Sequence, residues 1–231
     1  MQRKPGLLLL LLTALTLPLT SHSEPLQPFR AEYKALFDLG LAIDGEATRS
    51  LEQNADGSWR LRLHAEAMIA MIDESSHFRL EQEQVQPLLY RYQRKVLRKK
   101  RTRQIEFDWD TGLIRTDATA TPLSLPANVP AYDKVSHHIP LWRDAMAGNA
   151  PLEYRVVDGD HLETYRYRII GEQQLSTPAG SFDTLLVERD RGPDASRQTR
   201  IWLAKEVPYL VVKLEQVEEG KHYEIQLSKL H

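Results

Sequence analysis

A mainly β fold is predicted, either one large curved antiparallel sheet or a partly open β-barrel, with one short amphipathic helix. Three features of the 231-residue sequence carry this expectation. Apolar and polar residues alternate with a period of two through most of the chain, which gives a strand one wet and one dry face. Turn-forming pairs separate the alternating runs at short spacing, as between neighbouring antiparallel strands. A single segment after residue 130 has helical spacing instead.

The elements follow in order. Residues 1–23 read as a secretory leader. Arg3 and Lys4 form a basic start, Leu7 to Leu12 an apolar run, and Ser21-His22-Ser23 places small residues before a cut at Ser23-Glu24. The run is too short for a comfortable span of about 20 residues, and no later segment could cross a bilayer. The expected product is a periplasmic or secreted single domain over 24–231. Strands are expected near 29–38, 43–53, 58–70, 75–84, 88–97, 101–109 and 113–118, and again near 152–157, 161–170, 173–177, 183–190, 197–203, 209–217 and 222–230. Asp56-Gly57, Asp158-Gly159 and Glu219-Gly220 mark turns among them. A sheet of that many strands must curl, close or split to protect its edges.

Between these groups, Ala118 to Pro130 carries three prolines and reads as a loop. Asp133 is suited to cap a following helix, and Val135, Ile139, Trp142 and Met146 fall near helical spacing. Pro140 implies a kink or a fresh start, because an interior proline lacks the N–H and clashes with the preceding turn. Gly148 is the expected stop. The helix should lie on the concave side of the sheet, where Trp142 and Met146 find cover.

Composition bounds the function classes. With 42% hydrophobic and 27% charged residues the chain is too apolar for disorder. The leader holds two cations, so the remainder has 28 Lys+Arg against 32 Asp+Glu, which excludes a globally basic nucleic-acid binder. The absence of cysteine excludes disulfides, thiolate nucleophiles, zinc fingers and iron–sulfur centres. No G-x-S-x-G, S-x-x-K or Walker A motif is present. His137-His138 lacks metal-ligand spacing, since adjacent helical positions point about 100° apart, and neither a metal nor a cofactor is expected. Asp110-Thr111-Gly112 matches an aspartic-protease triplet, but the flanking Phe107-Asp108-Trp109 and Leu113-Ile114 read as strand, turn, strand.

Two groups stand out as candidate sites. Trp59, Trp142, Met146 and Trp202 would line an apolar ligand site, or serve as ordinary core. Arg91 to Arg103 places eight cations in thirteen residues with no acid among them. Read as a hairpin turning near Arg98–Lys100, its Arg94, Lys95, Arg98, Lys99, Lys100 and Arg101 form a cationic tip. That tip is either a solvated edge or a contact for an anionic envelope surface. Nucleic acid is not expected, because the aromatics are not interleaved with the cations.

Several segments together resemble the bacterial domain of unknown function 3108. They are Tyr33 to Gly40 with Gly45-Glu46-Ala47, Pro87-Leu88-Leu89-Tyr90 with Phe107-Asp108-Trp109, the D-x-x-S of Asp133 to Ser136, the T-P-x-G-x-F of Thr177 to Phe182, and Ile201-Trp202-Leu203. The resemblance implies an exported, β-rich envelope protein and supplies no activity or catalytic residue. The leading functional expectation is a noncatalytic module that binds a lipid or another apolar or amphipathic ligand between sheet and helix. The alternatives are a hydrolase with a carboxylate or histidine site, and an interaction protein docking through a sheet edge or the basic hairpin.

Overall fold

The computed structural model describes residues 25–38, 42–126 and 129–231. The expected leader lies outside them. In chain order β1 (Phe29–Asp38), β2 (Ala42–Gln53), β3 (Trp59–Ala67), β4 (Ala70–Glu81), β5 (Gln84–Val96) and β6 (Lys99–Asp108) lead to the short β7 (Leu113–Thr116) and β8 (Leu123–Ser124). Then come β9 (Ala131–Tyr132), helix α1 (His138–Ala147), β10 (Leu152–Asp158), β11 (His161–Thr177), β12 (Gly180–Asp190), β13 (Arg197–Ala204), β14 (Val211–Glu218) and β15 (Lys221–Leu230). The described strands form one 15-stranded sheet in the order 8-7-6-5-4-3-2-1-15-14-13-12-11-10-9. Among them only β9 pairs in parallel, with β10.

The chain therefore has its first described strand in the middle of its own sheet. It meanders outward to β8, crosses to the far edge, and meanders back until β15 pairs with β1. Both outermost strands are two residues long, which leaves little unpaired backbone to template another chain. The sheet curls so that its two flanks meet through side chains. Ser76 Oγ on β4 donates to Asp133 Oδ2 just after β9 (2.6 Å), and Thr116 Oγ1 on β7 donates to the Gly159 carbonyl in the β10–β11 turn (3.0 Å).

Alternation decides which residues fill the interior. Leu51, Leu61, Phe78, Tyr90 and Ile105 meet Val187, Ile201 and Leu203 in one continuous core. Helix α1 joins this core through Ile139, Leu141, Trp142 and Ala145, and so packs inside the curl. The helix starts at His138, later than Asp133. Asp133 instead closes the turn before it, accepting the N–H groups of Val135 (2.8 Å) and Ser136 (2.9 Å), while Ser136 Oγ accepts the Asp133 N–H (3.0 Å). Pro140 then sits in the first helical turn, where a proline is tolerated because its fixed φ suits the start of a helix. Gly148 ends the helix in the left-handed conformation at φ 69°.

Three expected boundaries move. The β3–β4 turn is at Met68-Ile69, so β4 begins at Ala70 rather than near 75. No Gly, Pro, Asn or Asp marks that turn; its backbone is fixed by the Leu97 N–H, which donates to the Ile69 carbonyl (2.8 Å). The basic hairpin turns at Leu97-Arg98 rather than Arg98–Lys100, with Leu97 at φ 53° and Val96 paired to Lys99. The two strands expected at 161–170 and 173–177 are one strand, because a bulge between Ile169 and Gly171 absorbs the break in alternation. The proline-rich loop contains β8, and a second short strand, β9, follows it.

Gly45 explains a fixed position in the opening strand pair. A Cβ there would lie 2.5 Å from the Glu66 carbonyl oxygen of β3 and 3.0 Å from the Phe37 ring. A backbone atom cannot yield as a flexible side chain can. Gly45→Ala should destabilise the protein by about 1–3 kcal/mol as an overpacking change, measured as a lower urea midpoint with an unchanged slope.

Candidate ligand-binding cavity

The curl is plugged at one end by α1 and empty towards the other. A cavity of about 520 Å³ opens among the strand halves that end at the Met68-Ile69, Leu97-Arg98, Gly159-Asp160 and Glu219-Gly220 turns. Its apolar wall includes Ile43, Leu63, Ile72, Tyr92, Leu214 and Ile225, all brought to the concave face by strand register. The size falls in the range of small-molecule sites, roughly 300–1,000 Å³.

The polar lining is not evenly distributed. Towards the helix lie Glu74, Lys134, His138 and Asp158. Loss of solvation raises the Glu74 pKa above the usual carboxylate range, and Tyr90 OH donates to its Oε1 (2.5 Å). Lys134 Nζ meets Asp158 Oδ1 (2.5 Å), and Tyr165 OH donates to the other Asp158 oxygen (2.8 Å). Burial and the neighbouring His137 hold His138 well below the usual histidine range. Desolvation biases Glu74 towards its neutral acid and His138 towards its neutral imidazole, forms that offer a ligand hydrogen bonds rather than charge. The sequence draws attention to His138 only as one of an adjacent pair, and gives no signal for Glu74, which falls between the strands expected near 58–70 and 75–84.

At the mouth stand Arg94 and Arg101, directly opposite each other on β5 and β6, with Arg103 one inward-facing position along. Strand alternation thus divides the basic run. Arg94, Arg101 and Arg103 face the cavity. Lys95 and Lys100, also a direct pair, face outward, Arg98 is in the turn, and Lys99 shares the face of Val96 at the rim. The expectation of a cationic tip, solvated or in contact with an anionic surface, does not include this division, because only curvature tells which face is enclosed.

The four expected apolar residues are placed elsewhere. Trp59 and Trp142 are in the main core, with Met146 packed against it. The Trp142 indole N–H donates to the Ala204 carbonyl (3.1 Å). Trp59 borders a second recess with Pro25, Leu80 and Leu88. Trp202 belongs to a smaller cluster with Tyr33, Leu210 and Leu227; its indole donates to Gln173 Oε1 (2.9 Å) and Lys213 Nζ lies 5.0 Å from its ring. None of the four is in the lining of the 520 Å³ cavity.

The adjacent histidines also divide. His137 is buried, with Nε2 2.8 Å from Tyr167 OH and Nδ1 3.2 Å from the Asp133 carbonyl. Glu215, His222 and Glu224 bring ligand-type atoms within 4.8 Å of one another. Lys213 Nζ already sits 2.9 Å from Glu224 and 3.6 Å from Glu215, so an ammonium supplies the countercharge a metal would bring. The Asp110-Thr111-Gly112 triplet is the β6–β7 turn, with Asp108 accepting the Thr111 N–H (3.0 Å). That bond, with help from Arg115, holds Asp108 down to about 2.

The fold and cavity define a β-barrel-like protein closed at one end by a helix and open at the other. The chain belongs to the family described as Protein of unknown function (DUF3108), whose model matches residues 29–222. Among solved structures it is similar to a β-barrel-like protein of the DUF1849 domain of unknown function from Brucella abortus, at 12% identity and a TM-score of 0.55, covering 88% of this chain and 96% of that one. A candidate lipoprotein from Parabacteroides distasonis aligns at 10% identity and a TM-score of 0.37, covering 89% of this chain and 96% of that one. The first likeness shows the fold alone. No curated protein matches the chain. Among the described residues no helix is long and apolar enough to cross a membrane.

Burial pushes the His137 pKa down to about 3, and Arg189 and Arg49 oppose its charge further. A group depressed in the folded state contributes stability that is present above its unfolded value, about 6.5, and lost as pH falls towards the folded one. Acidification from pH 7 to 4.5 should therefore cost about 2–3 kcal/mol through this residue alone, with His138 adding in the same direction. Urea unfolding across that range should show the decline. His137→Gln, unable to take up a proton, should flatten it while lowering stability at pH 7.

Proposed function

We propose that this protein is a noncatalytic envelope binding module that holds an apolar or amphipathic molecule, such as a lipid, in the open end of its curled sheet. The single observation that carries the reading is the unfilled cavity itself. The helix end of the interior is packed with buried Leu, Ile, Phe and Trp side chains, whereas the other end keeps about 520 Å³ beside an apolar wall. An apolar wall facing a void forgoes contacts that a ligand would supply. The expected setting is periplasmic, following from the leader pattern at residues 1–23.

A second reading concerns how such a module meets its source. Met68 and Leu97, at 91% and 65% exposure, are the two most exposed large hydrophobic residues of those described. They occupy adjacent turns at the cavity mouth, tied by the Leu97–Ile69 backbone bond. Outward-facing Lys95 and Lys100 flank them, with Arg98 in the turn. Apolar tips ringed by cations suit an anionic lipid surface, where each cation contributes about 1 kcal/mol.

Native mass spectrometry of protein purified from periplasm should show a retained small amphiphile, recoverable by organic extraction. A dry, ligand-free protein that takes up no lipid would overturn the reading. Ala70→Phe, which adds a ring to the cavity lining from a half-buried position near the mouth, should cut uptake of a fluorescent fatty acid at least tenfold with little change in thermal midpoint. For the docking surface, Lys95→Glu, Arg98→Glu and Lys100→Glu combined should abolish salt-sensitive co-sedimentation with phosphatidylglycerol vesicles and leave fatty-acid uptake intact.

A further inference from the structure

Charge around the cavity is unbalanced in a specific way. Of the acids that line it, Asp158 is paired with Lys134, Glu218 with Arg197, and Glu224 with Lys213. Glu74 is driven towards its neutral form by desolvation. Arg103 has a distant partner, Asp117, at 3.8 Å. Arg94 and Arg101 have no carboxylate within 4 Å among the described residues.

Their placement sets two like charges side by side at the exposed rim of the cavity. Like charges directly opposite on neighbouring strands destabilise the pair, and Arg94 faces Arg101 across the β5–β6 ladder. The outward positions on the same strands hold Lys95 and Lys100, so arginine rather than lysine stands on the cavity side. The third guanidinium, on Arg103, lies two residues from Arg101 on the same face. Tyr92, opposite Arg103, and Ile72, opposite Arg94, bring the apolar wall directly against this cluster. Guanidinium groups bind carboxylate and phosphate oxygens through paired N–H donors and are less strongly hydrated than ammonium groups. An apolar wall leading up to unmatched guanidinium groups is complementary to a molecule with a hydrocarbon body and an oxyanion at one end.

We propose that the cavity selects amphiphiles with an anionic oxyacid headgroup, carboxylate or phosphate, received by Arg94, Arg101 and Arg103 at the mouth while the chain lies against Leu63, Ile72 and Ile225. This rests on the cavity reading above and specifies its ligand class. The full chain is titrated with a set sharing one twelve-carbon chain: dodecanoate, dodecyl phosphate and the neutral glycerol monoester of dodecanoate. Inorganic phosphate alone is the fourth arm. At least one anionic amphiphile should bind tenfold or more tighter than the neutral ester, with an affinity that falls as salt rises. Which of the two is preferred separates a carboxylate from a phosphate headgroup.

Arg94→Gln with Arg101→Gln should remove that preference and leave neutral-ester binding within twofold, which also shows that the fold and cavity survive. Arg94→Lys with Arg101→Lys should retain part of it. Equal binding of neutral and anionic amphiphiles by the parent, or an unaltered preference in the Gln variant, would overturn the headgroup assignment and leave the cavity reading standing. Inorganic phosphate binding as tightly as dodecyl phosphate would also overturn it, in favour of a free-anion site. Failure of the parent to bind any amphiphile would overturn both. If the Gln variant does not fold, the parent's neutral-to-anionic ratio and its salt dependence decide alone.

Discussion

The seam between β1 and β15 is the constraint on which the rest of the structure depends. It joins two meanders, β2 to β8 on one side and β14 to β9 on the other, into one sheet wide enough to curl. The seam is secured by bonds beyond its own ladder. Tyr33 OH donates to the Val211 carbonyl (2.8 Å), and beyond the last strand the His231 N–H donates to the Arg30 carbonyl (2.9 Å). Burial raises the Tyr33 pKa to about 12, so its hydroxyl remains a donor. Small residues keep the joint tight: Ala31 and Ala35, paired with Leu230 and Ile225 across it, are nearly inaccessible.

From that seam the interior divides into a filled end and an empty one. The crossing from β8 to β9 delivers the Asp133–Ser136 turn and then α1 to a single end of the curl. Asp133 serves two purposes there: it orders the backbone before the helix and receives Ser76 from the opposite flank. The D-x-x-S pattern is thus a reciprocal lock that sets where the plug begins. Because the helix runs only from His138 to Ala147, about 15 Å at 1.5 Å per residue, it does not reach across the interior. The cavity is the space beyond it.

Much of this architecture was legible in the sequence. Period-two runs located every long strand, because burying one face of a strand is a local property of alternate residues. Turns with Gly and Asp were equally plain. Met68-Ile69 was hidden because its conformation is imposed by the neighbouring hairpin rather than by its own residues, and the bulge at Gly171 disguised one strand as two. The site was less legible. Trp59, Trp142 and Trp202 drew attention by size, and large aromatics most often serve packing. The lining residues Leu63, Ile72 and Ile225 are indistinguishable by spacing from Leu61 or Ile105. Whether a dry face is filled or open depends on curvature and on how far a helix extends. The same holds for the basic run: its charge was evident, and its division into inward arginines and outward lysines emerged only with the register.

The order of strands also governs how the chain can reach this state. Each meander consists of contacts between sequence neighbours, which form early, whereas the seam joins segments separated by nearly the whole described chain and closes late. Until it closes, β1 and β15 are long strands with unsatisfied edges, unlike the two-residue strands that bound the finished sheet. The seam is therefore the step at which correct closure competes with strand exchange between molecules. Lys34, Glu32 and Lys229 along those edges disfavour the wrong pairing while the molecule is incomplete.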